Sequence, residues 1–533
     1  MMKTGSIGKI VLALAVICGL ALSGRAADVQ AQTVPQDRVQ SLYINWYVYP
    51  RNQLGVDYYI DVAKRAGFNR LMLPVCSPYP KDRVPEQMHE YFIEQCHKHG
   101  IQAIAWYFTK TVTEPDKFLK EILTKYKFDG VSADDGYEMV VGGKVKTPAD
   151  MDKCMAYAKK VHRAVKGVNP KLSVATSGSQ LPEACPVGIR CIKEGLLDFI
   201  EPEVYHRAKD DKADRSGYAK VWLEAVGKEN AGKIVILLVN DIMDAKPKLA
   251  NDLLKEVKEI LGVSPKIGVG LFASYWLTDD QIEIMRTREP YTGKLPEAYK
   301  RTKDKINVLM DGYQRGVSPN DYLAFTSEWI DMLTAEGATV KLGAMPVLTD
   351  ELLDNCDIYV GCSGYHSWSK KEVATLGRFV DRGGRIIEFG GNMYEMSGSI
   401  LSQFGLTVSL LNGKGSDPVC KTIAQHPLTE GVSAMQGSAR GTKNRWCAQI
   451  TAKPPAQVLM AGKAEDTEVV GLAVYEDKTK GGRVVLLGVG PNVFFNEADG
   501  WPKGTGLDSH DHLRLARNMV KWICEGKQPQ KAK

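Results

Sequence analysis

The chain has 533 residues, 44% hydrophobic and 25% charged, an ordinary globular composition in a chain too long for one core. Its formal charge of +6 falls to +3 (6 − 3) without the first 26 residues, because Lys3, Lys9 and Arg25 leave and no acid does. So small a charge excludes the footprint of a nucleic-acid or anionic-membrane binder.

Residues 1–31 read as a secretory signal peptide. Lys3 and Lys9 form a basic start, "IVLALAVICGLAL" (10–22) an apolar stretch, and small residues allow a cut after Ala26 or Ala31. The apolar stretch is too short to stay as a spanning helix. Export to the periplasm or beyond is expected, with no membrane span after cleavage. Ten cysteines then remain. Export permits disulfides, and Cys185 and Cys191, around a Pro-Gly loop, are the pair best placed to form one. Cys356 and Cys362 flank a strand that holds them too far apart. No CxxC pair exists, which argues against a zinc ribbon or a thioredoxin-type site.

From residue 36 to 290, apolar runs alternate with amphipathic stretches. The runs are "SLYINWYV" (41–48), "NRLMLPV" (69–75), "IQAIAWYF" (101–108), "DGVSADD" (129–135), "KLSVATS" (171–177), "DFIEPEVY" (198–205), "KIVILLVN" (233–240) and "KIGVGLFASYW" (266–276). Between them "VDYYIDVAKRAGF", "MDKCMAYAKKVHRAVKGV" and "LANDLLKEVKEILGV" carry helical spacing. Eight strand–helix repeats over about 250 residues predict a closed (β/α)8 TIM barrel. An open doubly wound sheet would want a Gly-rich phosphate turn after its first strand, and "NWYVYPRNQLG" offers none.

A barrel does its chemistry at the C-terminal ends of its strands. Those ends collect aromatic rings and carboxylates: Tyr47, Trp106, Asp134, Asp135, Tyr137, Glu201, Glu203, Tyr205, Asp241 and Trp276, with Ser177 and Ser179 after the fifth strand. Side chains alternate along a strand. Ser132 and Asp134 should therefore face the interior while Val131 and Ala133 face the helices. Glu201, Glu203 and Tyr205 should likewise point inward, and Asp135 should begin the loop. Acids in one mouth raise each other's pKa, which suits acid–base cleavage of a glycosidic bond.

Asp134, Asp135 and Glu203 are the expected catalytic groups. Glu201, Tyr205, Tyr47, Trp106, Tyr137, Asp241 and Trp276 are the expected substrate contacts. Glu201 lies deeper and is equally readable as a buried hydrogen-bonding acid, Asp241 as a helix cap, and the aromatics as barrel core. Arg51, Arg83 and Arg207 are available to neutralise the acids. No metal or cofactor is expected, since His206 is the lone strand-end histidine.

"FDGVSADDGYE", "LLDFIEPEVYH" and "GVGLFASYWLTDDQ" resemble the fourth, sixth and eighth strands of secreted bacterial glycosyl-hydrolase-like barrels over roughly residues 42–286. The resemblance implies a carbohydrate substrate and matches Asp134 and Asp135 to the family's acidic pair. Glu203 stands where such segments often carry an amide or another polar residue, so its role as general acid comes from the residue reading. Two functions compete: an exported glycoside hydrolase, and a carbohydrate-binding pseudoenzyme or scaffold whose acids are structural.

Residues 291–304 are polar and Pro/Gly-punctuated and read as a linker. From 305 to 526 βα alternation resumes, with strands at "INVLMD", "ATVKLG", "CDIYVGC", "RIIEFGG" and "GGRVVLLGVGP", and predicts an open Rossmann-like α/β domain. With "HPLTEGV", these segments resemble class I glutamine-amidotransferase-like domains. The position of the nucleophile elbow reads "EFGGNMY", without Cys or Ser. That implies a non-catalytic module that binds a partner, forms a homo-oligomer or supports the barrel. Two weaker signals are Cys362 near His366, and "DSHDH" (508–512), which suits a metal or a helix start.

Overall fold

The computed structural model describes residues 38–45, 49–50, 52–76, 88–205, 215–242, 246–247, 249–273, 277–293, 295–296, 299–311, 328–343, 347–362, 369–389, 401–410, 419–436, 448–464, 467–488 and 511–527. The signal-peptide segment lies outside them. Among the described residues no helix is long and apolar enough to cross a membrane.

Each apolar run of the first half becomes a strand: β1 (Gln40–Ile44), β2 (Arg70–Pro74), β3 (Gln102–Phe108), β4 (Gly130–Asp134), β5 (Ser173–Gly178), β6 (Phe199–Pro202), β7 (Val235–Val239) and β8 (Gly268–Ala273). All neighbours pair in parallel, in the order β6-β5-β4-β3-β2-β1-β8-β7. The ring closes between β6 and β7 through two isolated bridges, Ile200 with Ile234 and Glu203 with Leu237. The Val204 amide also donates to the Leu237 carbonyl there, at 2.9 Å. This is the predicted (β/α)8 barrel.

The helices begin and end where local chemistry directs. The helix α1 (Gln53–Ala66) starts at Asn52, whose side chain accepts the Gly55 amide, and stops at Gly67, in the left-handed region at φ 79°. Helices α2 (His89–Lys98) and α3 (Pro115–Lys125) follow β2 and β3. A capping box of Thr147 and Asp150 opens α4 (Pro148–Val168). Then come α5 (Pro186–Lys193), α6 (Arg215–Val226), α7 (Ala250–Val263) and α8 (Asp279–Thr287).

Strand alternation makes two cores. Leu42, Leu71, Ala105, Val131, Ala133, Ile200 and Leu271 face outward against the helices. Tyr43, Met72, Ile104, Trp106, Val235 and Leu237 fill the barrel interior. The parity expected for β4 and β6 holds. Gly130 is needed for closeness, because a Cβ there would collide with the Ser173 backbone across β5.

Cys185 and Cys191, the pair best placed for a disulfide, are not joined. The "PVG" segment starts α5 instead of a loop, so the two cysteines sit at successive levels of one helix. Cys185 Sγ accepts the Ser179 amide (3.1 Å), and Cys191 Sγ faces Met155 Sδ (3.8 Å). Both are free and buried.

The second half carries a nine-stranded sheet. Strands 338–343, 306–311, 358–362, 385–389 and 482–487 lie side by side in parallel, as the alternation predicts. Strands 467–477, 457–464, 419–422 and 434–436 extend the sheet antiparallel. The linker is anchored through Tyr299, whose hydroxyl donates to Asp279 of α8, which also pairs with Arg65 of α1. The segment 390–391 and His366 lie outside the described residues. Of "DSHDH", Asp511 accepts the Ser433 amide (2.7 Å), the Ser433 hydroxyl (2.6 Å) and the Ala434 amide (3.1 Å), and His512 is buried at the start of the closing helix His512–Cys524.

Candidate active site

The strand β4 delivers Asp134 to the mouth of the barrel, on the interior side. The next residue, Asp135, sits at φ 62° and Gly136 at φ 79°. Asp is among the few L-residues that adopt this left-handed region readily. Two positive φ values in succession turn the chain off the strand and leave Asp135 exposed on the rim. The turn is held from beyond by Glu138, whose Oε1 accepts the amides of Val187 (2.9 Å) and Gly188 (3.4 Å) at the start of α5.

Just beyond β6, Glu203 enters the same mouth. Asp134, Asp135 and Glu203 each place a carboxylate oxygen within 4.8 Å of the other two. Ser177, at the end of β5, stands among them. Its Oγ lies 2.8 Å from Asp134 Oδ1 and 2.7 Å from Glu203 Oε1, and it accepts the Asp135 amide at 3.1 Å. Among the described residues no Arg bridges the three; Arg51, Arg83 and Arg207 lie outside them.

Burial, and then the Asp135 charge, push Asp134 up to about 6. Burial and the Asp134 charge push Glu203 well above the usual carboxylate range. Asp135 is raised by burial and opposed by the Lys110 ammonium. The site therefore holds one carboxyl protonated near neutrality beside a solvent-facing carboxylate. Such a split assigns acid and base.

Other expected site residues lie elsewhere. Glu201 is fully buried one layer below the mouth, where its Oε2 accepts from the hydroxyls of Tyr43 and Ser132 (2.6 Å for Ser132). Its Oε1 lies 3.8 Å from Arg70 Nη1. It is a structural acid, not a substrate contact. Tyr137 is fully buried and packs on Tyr157, at 5.7 Å between ring centroids, because Gly136 turns it into the helix layer. Trp106 is 2% exposed, wedged between Tyr43 and Phe108 in the interior core. Its indole N–H approaches Asp134 without meeting hydrogen-bond geometry, so the ring is floor and not a sugar platform.

Tyr205 stays at the mouth, half-buried against Phe272. Tyr47 and Trp276 lie outside the described residues, as does the Asp241 side chain. Ser177 is the residue that sequence reading passed over. The strand-end rule reached Ser177 and Ser179 alike, and only the β5–β6 register, which sets Ser177 beside Glu201, separates them.

By spacing alone the three carboxylates could share a cation. Acid groupings of this kind are common without one, and no histidine or cysteine joins the group among the described residues.

A raised carboxyl pKa weakens the fold at neutral pH. An aspartate at 3.8 in the unfolded chain and about 6 in the folded one makes stability fall as pH rises from about 4 through about 6. Asp134→Asn is therefore expected to be more stable than the parent at pH 7, by about 1–3 kcal/mol, with the gain vanishing below about pH 4. Denaturant unfolding at the two pH values measures this, and equal stability at pH 7 would contradict it.

No family model and no curated protein matches the sequence. Among solved structures, the chain is similar to the exo-β-1,4-mannosidase Op5Man5 from Opitutaceae bacterium strain TAV5, at 11% identity over 85% of this chain and 91% of that one (TM-score 0.34). It is similar to a β-galactosidase from Rahnella sp. R3, at 11% identity over 92% and 89% (TM-score 0.35). The PgaB (BpsB) glycoside hydrolase domain from Bordetella bronchiseptica matches at 11% identity over 48% of this chain and 99% of that one (TM-score 0.34).

Proposed function

We propose that this chain is an exported glycoside hydrolase that cleaves with retention of anomeric configuration, with Glu203 as general acid and Asp135 as nucleophile. The observation that supports the reading is the carboxylate trio at the C-terminal mouth, with oxygens within 4.8 Å of one another. Retaining enzymes hold their two carboxyl groups about 5–5.5 Å apart, whereas inverting enzymes leave about 6.5–9.5 Å for a water.

In the first step Glu203 gives its proton to the glycosidic oxygen as the Asp135 carboxylate attacks the anomeric carbon. The leaving alcohol departs and a glycosyl ester forms on Asp135. In the second step the Glu203 carboxylate takes a proton from water as that water attacks the anomeric carbon. Asp135 is released, and Glu203 is protonated again. Asp134, held between Ser177 and the interior, flanks the acid. The basic and apolar start of the chain supports export, and the second domain is read as a non-catalytic support.

A panel of aryl glycosides and polysaccharides tests the reading, with proton NMR of the first-formed product. The expected product is the retained anomer, at a rate that excess chelator does not change. An inverted product would remove Asp135 as nucleophile. Sugar binding without turnover across the panel would favour the carbohydrate-binding alternative.

A further inference from the structure

We propose that Ser177 is the positioning residue of the acid pair: its hydroxyl links Asp134 and Glu203 so that the two share one proton, held on Glu203 and passed between them through Oγ. The proposal rests on the reading of Glu203 as the acid.

The argument begins with hydrogen-bond capacity. A serine hydroxyl has one proton to give and two lone pairs. One lone pair is used by the Asp135 amide at 3.1 Å. Two carboxyl oxygens then approach Oγ, at 2.8 Å from Asp134 and 2.7 Å from Glu203. The hydroxyl can donate to only one of them. If both carboxyls were ionised, the other oxygen would face Oγ with no proton between, in a nearly dry site where that costs most.

One added proton completes the set. With it on Glu203, that carboxyl donates to Oγ and Oγ–H donates to Asp134 Oδ1. With it on Asp134, both bonds reverse. The two states interconvert by moving two protons across Oγ, with no heavy atom displaced and no charge gained or lost. A second proton would replace the bond from Oγ–H to a carboxylate by a weaker one to a neutral carboxyl oxygen.

The position of Ser177 suits this role. It is 1% exposed and fixed on a barrel strand rather than a loop, so its Oγ holds station between β4 and β6. The charged and titratable groups around the pair are Asp135 at the end of β4, Tyr205 beyond β6, Cys76 beyond β2, Cys185 at the start of α5, and Lys110 beyond β3. Asp134 and Glu203 also act on each other directly, and Ser177 is the side chain whose hydroxyl lies within hydrogen-bond distance of both. Asp135 and Lys110 act on the pair by charge, in opposite directions.

The test uses the full chain with carboxyl-13C-labelled Asp and Glu, titrated by NMR as parent, Ser177→Ala and Ser177→Thr. Removal of the hydroxyl takes away bonds that favour the singly protonated pair over both the fully ionised and the doubly protonated pair. The two coupled steps should therefore draw together in the alanine chain, the upper moving down and the lower moving up by about one pH unit each, and separate again toward the parent in the threonine chain. The alkaline limb of kcat/KM, set by the proton on Glu203, should move down with the upper step. Ser177→Cys keeps the volume but donates weakly, and carries the same expectation if the alanine chain fails to fold.

Unmoved titration steps in a folded alanine or cysteine chain would overturn the proposal, even with turnover intact. Moved steps in the variants of a parent chain that itself turns over no glycoside would leave the proton link standing and remove the hydrolase reading. A uniform loss of rate with an unmoved alkaline limb would mark Ser177 as structural only.

Discussion

Glu203→Gln is expected to lower kcat on oligosaccharides and alkyl glycosides by about 10²–10⁴-fold, the usual contribution of a positioned general acid. A thousandfold loss corresponds to about 4 kcal/mol of transition-state stabilisation. The loss should be selective. An aryl glycoside with a strongly acidic phenol leaves without a proton, so its cleavage step should change little. The alkaline limb of the pH–rate profile should vanish, because the group that must stay protonated is gone. Burial and the Asp134 charge raise Glu203, so that limb should lie above the ordinary carboxylate range in the parent. Steady-state rates over a leaving-group series, each at several pH values, check all three expectations. Equal losses across the series would place Glu203 outside the proton transfer.

The second large effect concerns stability. Arg70 and Glu201 are buried together inside the barrel, at 1% and 0% side-chain exposure. The guanidinium also lies over the Phe199 ring, 4.5 Å from its centroid, and its Nη2 donates to Ser173 Oγ at 3.3 Å. Truncating one partner of such a pair leaves the other charge stranded, at a cost of about 3–5 kcal/mol. Arg70→Ala should therefore lower Tm by roughly 6–20 °C, at 2–4 °C per kcal/mol for a domain of this size. Glu201→Ala should do the same. The double replacement by Met and Leu should recover most of the loss, because no charge then remains in the interior. Thermal unfolding of the four chains forms the cycle. If each single variant melted with the parent, the pair would hold nothing.

Much of this was legible in the sequence because strands alternate. "FDGVSADDGYE" placed Ser132 and Asp134 inside and Val131 and Ala133 outside, and the two cores divide that way. The sixth strand placed Glu201 and Glu203 on one parity just as well. The two-residue spacing also placed Glu201 deeper; what it could not supply was the partner Glu201 meets there. Glu201 and Glu203 share a face but stand a layer apart, and the lower one meets Arg70. That arginine was overlooked because it begins β2, and attention to catalytic groups runs to strand ends.

Turn geometry was equally hidden. Nothing in "DDGY" says that Asp135 adopts a positive φ, and with a different turn Tyr137 would have reached the mouth. In the second half, the parallel strands announced themselves as continuous apolar runs. The antiparallel pair 457–464 and 467–477 did not, since strands with one face nearer solvent mix polar residues among apolar ones. Only pairing reveals such strands as one sheet.

The closure between β6 and β7 has a consequence for how the site works in time. Every other pair of barrel strands is joined by a ladder, but this one is held by two isolated bridges, and one of them runs through Glu203 itself. Thermal opening of a barrel begins where the fewest backbone bonds must break together. Glu203 thus sits on the most sparsely bonded seam of the barrel wall, while Asp134 and Ser177 stand on laddered strands. A sugar that touches both sides of that seam would draw it shut, and proton delivery would become a property of the closed barrel rather than of one side chain.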